Sequence, residues 1–259
     1  RNRTSCDSYG VERLRDVAPT TLSRKLSGDD LIRGVAALQH RSVEEVIKVA
    51  GPSGQDLGVA YVEAPVSGIV CGIDIETTDR DPSRGYIINI GIEFMRLTPT
   101  AKPEHPFSSY CGIPELYREK GVPLAFVHHI SWDDLAGKKP LRQHNKMQRA
   151  ILATLEMYPF MAHNASFEDS WFMMQIDGYA EARKAGRITP IDTRDICRRI
   201  DPEYKTLPHD SKPATLENWA RRRGTLKANQ KETHLGLEDV DLMFRTVQAE
   251  FAERNMFSS

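Results

Sequence analysis

The run Ile69-Val70-Cys71-Gly72-Ile73-Asp74-Ile75 is apolar except for one acid inside it, and a second acid, Glu76, follows directly. Its length and β-branched content predict a buried strand over Ile69–Ile75. The two-residue repeat of a strand puts Asp74 and Glu76 on the same face. Carboxylates at the end of a core strand are costly unless something compensates them. From these residues alone two readings stand. They are strand-end acids turned to solvent, or they are half of a hard-oxygen site for Mg²⁺ or Mn²⁺.

At 259 residues the chain allows one large domain or a domain with an appendage. A hydrophobic content of 40% and a charged content of 27% are those of a soluble globular protein. No apolar run approaches a membrane span and no secretory signal is visible, so a cytoplasmic protein without a membrane partner is expected. Cys6, Cys71, Cys111 and Cys197 lack metal-site or disulfide-scaffold spacing and read as reduced thiols. The net charge of −1 hides a basic window. Residues 183–231 hold thirteen basic and six acidic residues, which suits either a polyanion or a solvated helical face.

The first 66 residues read as a helical piece without strands. Val11–Val17 is one short helix, and Pro19 opens a second at its first turn. Leu31–Leu38 and Ser42–Ala50 follow, the last with Ser42 as N-cap and Glu45 at capping-box spacing. Gly51-Pro52-Ser53-Gly54 reads as a linker. From residue 67 to 259 the pattern becomes α/β. Strands are predicted at Ile69–Ile75, Tyr86–Leu97, Ser108–Gly112, Pro159–Ala162 and Ile188–Thr193. Helices are predicted at Arg142–Met157, Ala165–Ile176, Ala214–Arg223 and Asp239–Arg254. In the last, Val240, Met243, Phe244, Val247 and Phe251 form one apolar stripe. Strands in a meander, then helices alternating with strands, indicate a mixed sheet.

Two further acidic clusters lie far along the chain. One is Ala162-His163-Asn164-Ala165-Ser166-Phe167-Glu168-Asp169; the other is His234-Leu235-Gly236-Leu237-Glu238-Asp239. With Asp74-Ile75-Glu76-Thr77-Thr78, and in this order, they resemble the exonuclease domain of the DnaQ-like superfamily, DEDDh subgroup. That family shows Asp-x-Glu, His-Asn-Ala-x-Phe-Asp and His-x-x-x-x-Asp. Val127-His128-His129-Ile130-Ser131 is similar to its His-Gly-Ile-Thr segment, with His129 where Gly is usual. Ile191-Asp192-Thr193 and Ala214-Thr215-Leu216-Glu217 are similar to its Asp-Thr strand and following helix. The chain departs from the family at the second motif, where Glu168 stands in place of Asp and Asp169 follows it. Glu168 keeps the register, Asp169 is the other candidate, and a weakened site is the third reading.

The resemblance implies a ribonuclease H-like α/β fold with a five-stranded mixed sheet. It also implies 3′–5′ hydrolysis of DNA or RNA at single-stranded or frayed 3′ ends, with two divalent ions, Mg²⁺ or Mn²⁺, as cofactors. The implied ligands are Asp74, Glu76, Glu168 and Asp239, with Asp74 bridging. Two dications side by side repel each other, which is why several carboxylates are needed. His234 is the implied general base, because an imidazole is neutral near working pH. Thr77 and Thr78 would flank the terminal nucleotide. Asn164 is expected to cap the helix carrying Glu168 or to touch substrate. His163 and Phe167 are expected to support rather than catalyse, and His129, Asp192 and Glu238 receive no role.

Residues 10–50 also resemble the later helices of an Xre-type helix-turn-helix, with residues 20–28 as recognition helix. A small helical cap is the competing reading. The first implies a second function class, a duplex-DNA tethering protein with a weakened nuclease domain. No polymerase-binding tail is legible.

Overall fold

The computed structural model describes residues 64–257. The helical piece predicted before residue 64, including the helix-turn-helix resemblance, lies outside the described residues. The described part opens where it closes: Val66 donates its N–H to the Met256 carbonyl at 2.7 Å and bridges to Phe257.

The sheet has five strands in the order β3-β2-β1-β4-β5. They are β1 (Ile69–Thr77), β2 (Ile87–Arg96), β3 (Glu104–Tyr110), β4 (Phe160–Ala162) and β5 (Pro190–Asp192). β1 pairs antiparallel with β2 and parallel with β4, and β4 pairs parallel with β5. The mixed five-stranded architecture is the predicted one. β1 occupies the centre because its apolar residues need cover on both faces. Ile69, Val70, Cys71, Ile73 and Ile75 are all buried.

Between β3 and β4 lie three one-turn helices, α1 (Tyr117–Lys120), α2 (Ala125–His128) and α3 (Trp132–Leu135). α4 (Asn145–Leu155) follows a short 3₁₀ turn. α5 (Ser166–Gln175) and α6 (Tyr179–Lys184) precede β5; α7 (Thr193–Ile200), α8 (Leu216–Arg222) and α9 (Gly236–Glu253) follow it. α9 covers the sheet face that carries Gly72, Asp74 and Glu76. A Cβ on Gly72 would meet the Phe244 and Val240 side chains at 2.6 Å. The predicted stripe Val240, Met243, Phe244, Val247 and Phe251 is buried throughout. The opposite face meets α4, where Ile92 and Phe94 line an apolar pocket with Met147 and Ile151.

Three expectations shift. The third strand runs over Glu104–Tyr110 instead of 108–112. It is an edge strand whose residues alternate between exposed and half-buried, and Pro106 disguises its pattern. The predicted strand at 188–193 narrows to three residues because Thr193 opens α7. α9 starts three residues before the predicted Asp239.

α8 and α9 are tied by a buried charge network. The Arg223 side chain is 1% exposed and pairs with Asp201, Glu203, Glu250 and Glu253. The Trp219 indole donates to Glu250 at 2.7 Å. This network gives part of the basic window a structural role. Of its thirteen basic residues, Arg183, Arg187, Arg198, Arg221, Arg222 and Arg223 stand in ion pairs. The excess available to a polyanion is smaller than composition suggests. Cys71, Cys111 and Cys197 are buried. Among the described residues no helix is long and apolar enough to cross a membrane.

Candidate active site

The site forms where three chain segments meet at the end of β1. Asp74 and Glu76 sit on its α9 face, opposite Gly91 and Asn89 of β2. On the other side, Gly72 pairs with Met161, so β4 leaves the sheet level with the Asp74–Glu76 end of β1. The chain turns through His163 and Asn164 into α5, whose first turn carries Glu168. α9 arrives from the far side with Asp239 in its own first turn.

The approach of α9 is unusually close. An added Cβ on Gly91 would lie 2.1 Å from the backbone of Gly236 and Leu237. One on Gly236 would lie 2.6 Å from Gly91 N and 2.9 Å from the Asp74 carbonyl. Two glycines therefore let backbone rest on backbone. Asn89 fixes the contact by accepting the Gly236 N–H on Oδ1 at 3.1 Å. Neither Asn89 nor this glycine pair was singled out in the sequence, where they look like ordinary strand and turn residues.

One ligand atom each from Glu76, His234 and Asp239 lies within 4.8 Å of the others. Asp74 and Glu168 complete the cluster electrostatically. Burial holds the Asp74 carboxyl well above the ordinary range, and Glu168, Asp239, Glu76 and Glu232 push it further. Burial and the charges of Asp239 and Glu232 push Glu76 up to about 8. Glu168 is 2% exposed, its Oε2 has no hydrogen-bond partner, and burial raises its pKa strongly. Asp239 is raised to about 6 by burial, against a hydrogen bond from the Thr233 hydroxyl at 3.2 Å. Carboxyls held this way lack compensating positive charge. The four carboxylates form the all-oxygen donor set of a hard divalent cation, with the imidazole beside them.

Glu232 is a fifth acid of the cluster that sequence reading missed. Burial and Asp239 raise it to about 8. Its place two residues before His234 was the available signal. The loop carrying both is held by α8: the Glu232 N–H donates to Glu217 at 3.3 Å, and Arg221 donates to the Gln230 carbonyl at 2.7 Å. His234 itself has φ +53°, a sparsely populated region for a non-glycine residue. Burial lowers its pKa, with His129 adding and Glu217 opposing. The imidazole is therefore neutral at neutral pH and able to accept a proton.

The other named residues have defined places. Thr77 donates its hydroxyl to the Asp79 carbonyl at 2.7 Å. The Thr78 N–H is spent on Tyr86 O, and its hydroxyl accepts the Tyr86 N–H. Both threonines brace the β1–β2 turn. Asn164 does not cap α5, whose N-cap is Ala165 without a side-chain bond. Asn164 instead takes φ +85°, which asparagine tolerates well, and accepts from Arg194 at 3.2 Å. Asp192 caps α7 through the Arg194 N–H and holds the Asn164 N–H, pinning the β4–α5 turn to β5. His163 donates from Nε2 to the Ala214 carbonyl at 2.8 Å and stacks on Trp219, a supporting role. Phe167 packs against Trp171. His129 ends α2 at φ +57°, the geometry that favours glycine there.

No protein-family model and no curated protein matches the chain. Solved structures do. Escherichia coli exonuclease I in complex with a dT13 oligonucleotide superposes with a TM-score of 0.55 at 15% identity, over 72% of this chain and 42% of that one. The zinc-bound form of its complex with single-stranded DNA gives 0.53 at 14% identity, over 72% and 41%. A full-length 3′-exonuclease gives 0.50 at 15% identity, over 75% and 84%. The chain thus spans about two fifths of exonuclease I. Residues 64–257 have the ribonuclease H-like α/β fold of these exonucleases, a mixed five-stranded sheet flanked by helices.

Proposed function

We propose that residues 64–257 form a metal-dependent 3′–5′ exonuclease domain that releases nucleoside 5′-monophosphates from single-stranded or frayed 3′ ends of DNA or RNA. The observation that carries this reading is the uncompensated cluster of Asp74, Glu76, Glu168 and Asp239, with a His234 ring nitrogen within 4.8 Å of carboxylate oxygens of Glu76 and Asp239. That exonuclease I has been solved with single-stranded DNA supports the substrate class.

Asp74, Glu76, Glu168 and Asp239 would hold two divalent ions, Mg²⁺ or Mn²⁺. When bound, such ions stabilise the attacking and leaving oxygens of an in-line phosphoryl displacement. His234, kept neutral by burial, takes the proton of the attacking water. Asn89 and the Gly91–Gly236 contact hold Asp239 in register with Asp74. Thr77 and Thr78 wall the 3′-terminal nucleotide by packing, because the Thr78 N–H is already engaged. Asn164 acts at the rim by holding Arg194 beside the substrate backbone.

The test is a panel of 5′-labelled single-stranded DNA, single-stranded RNA and mismatched duplex with Mn²⁺ or Mg²⁺. Wild type is expected to yield mononucleotides, and Asp74→Ala to yield none. His234→Ala should lower kcat by roughly 10²–10⁴ while metal binding persists. Wild-type protein that leaves every substrate intact would overturn the reading.

A further inference from the structure

Behind the carboxylate cluster, between β2, the first turns of α9 and the loop 225–233, lies a cavity of about 590 Å³. Glu93, Glu238 and Asp241 line it together with Glu232 and Asp239 of that cluster, and Lys231 and Arg245 are basic residues of the wall. Glu93 sits on β2 opposite Gly72, on the face turned to α9. It is 8% exposed, and its Oε2 has no hydrogen-bond partner. Arg245 offsets its charge only in part. That guanidinium is committed to Asp241 through Nε at 2.7 Å and to the Thr225 carbonyl through Nη1 at 2.9 Å.

A buried carboxyl oxygen facing a roomy cleft without a donor is costly unless a ligand satisfies it. Burial pushes Glu93 up to about 7, with Asp241 and Glu238 adding and Arg245 opposing, so near neutrality a cation can displace its proton. Glu238 and Asp241 are three residues apart and share one face of α9. Among the described residues, the group with ligand atoms within 4.8 Å of one another is Glu76, His234 and Asp239, so Glu93, Glu238 and Asp241 do not converge on a bare ion. A cation that keeps part of its water shell fits the wider spacing, and Mg²⁺-type ions dehydrate reluctantly.

We infer that this cleft binds a hydrated divalent cation, held by Glu93 directly and by Glu238 and Asp241 across its water shell, at a site that shares its Asp239 wall with the Asp74–Glu168 cluster but takes other ligands. The ion joins β2 to α9. The inference does not depend on the exonuclease reading.

Free Mn²⁺ is followed by electron paramagnetic resonance during titration of the full chain. The proteins compared are wild type, Asp74→Asn, Glu93→Gln, Asp241→Asn and the Asp74→Asn/Glu93→Gln pair. Gln copies the shape of a protonated Glu, so Glu93→Gln should fold, and a thermal melt checks it. Glu93→Gln is expected to weaken one class of Mn²⁺ site roughly tenfold or more while the other class remains. Asp74→Asn retains the class that Glu93→Gln weakens, and the double variant loses it. Asp241 has a 40% exposed side chain, so Asp241→Asn carries the test if Glu93→Gln does not fold, and it too weakens that class. A Glu93→Gln or Asp241→Asn isotherm that superimposes on wild type overturns the site. An inactive wild type with Glu93-dependent Mn²⁺ binding sinks the exonuclease reading alone.

Discussion

Glu168 and Asp169 are neighbours in the first turn of α5, yet their surroundings are opposite. Successive helix residues point about 100° apart, so only one can face Asp74. Asp169 accepts the Tyr179 hydroxyl at 2.7 Å and Arg183 Nε at 3.1 Å. Glu168 has a buried oxygen without a partner and raises the Asp74 pKa. In sequence both acids were open; the rotation of α5 and the placement of Tyr179 and Arg183 separate them, and neither is visible in a motif. Opposite phenotypes follow. Asp169→Asn removes a largely buried ion pair to Arg183 and weakens the acceptor of the Tyr179 hydroxyl, and should cost about 2–4 kcal/mol in denaturant unfolding while kcat stays near wild type below the transition. Glu168→Gln removes a buried acid that is unfavourable when ionised. It should leave the metal-free Tm at pH 8 unchanged or higher, and lower kcat by roughly 10²-fold or more. A stable, fully active Glu168→Gln together with an inactive, well-folded Asp169→Asn would reverse the assignment.

At the scale of elements, the decisive contact is α9 on β2. The helix is fixed by its buried stripe, which a period of 3.6 made legible from the residues alone. Its height above the sheet is fixed by Gly91 and Gly236, which periodicity does not reveal. Gly91→Ala would put a Cβ 2.1 Å from Gly236 and Leu237 backbone atoms, which no side-chain rotation relieves. The helix must lift, taking Asp239 away from Asp74 and Glu76. Destabilisation of roughly 1–3 kcal/mol is expected, with weakened Mn²⁺ binding at temperatures where the variant remains folded. A folded Gly91→Ala with wild-type Mn²⁺ affinity would show that the close approach does not position the site. What the sequence hid has the same character throughout. α1, α2 and α3 span four residues each, too few to show a helical repeat. α7 went unread because it follows β5 directly and buries only Thr193, Ile196 and Cys197 among charged residues. β1, α4 and α9 were legible because each buries a long regular face. The acids of the site were legible because ionisable groups beside core strands are unusual, whereas Glu232 lies on an irregular loop with no period to betray it.

For the whole molecule, the raised carboxyls make stability depend on pH with a definite sign. Glu76 and Glu232 are raised to about 8, Glu93 to about 7 and Asp239 to about 6, above their ordinary values of 4.5 for Glu and 3.8 for Asp. Over that interval the folded chain holds more protons than the unfolded one. Their contribution is therefore fully present below about pH 4 and lost as pH rises through 6 to 8. His163 and His234 act oppositely. Burial lowers His163 to about 4, and His234 is lowered too, so the stability they confer rises with pH up to about 6.5 and is then complete. The two trends compete below pH 6.5, and only the carboxyls act above it. The metal-free Tm should fall between pH 6.5 and 8 by about 5 °C or more for a domain of this size. Divalent cations bind the deprotonated carboxylates of the folded state, so Mg²⁺ or Mn²⁺ should raise Tm more at pH 8 than at pH 6.5. Glu76→Gln should flatten both dependences, since it removes one of the groups that titrates in this window. A Tm that rises from pH 6.5 to 8 without metal, or a cation effect independent of pH, would mean that the cluster is already neutralised within the fold, and the case for a metal centre at the end of β1 would fall with it.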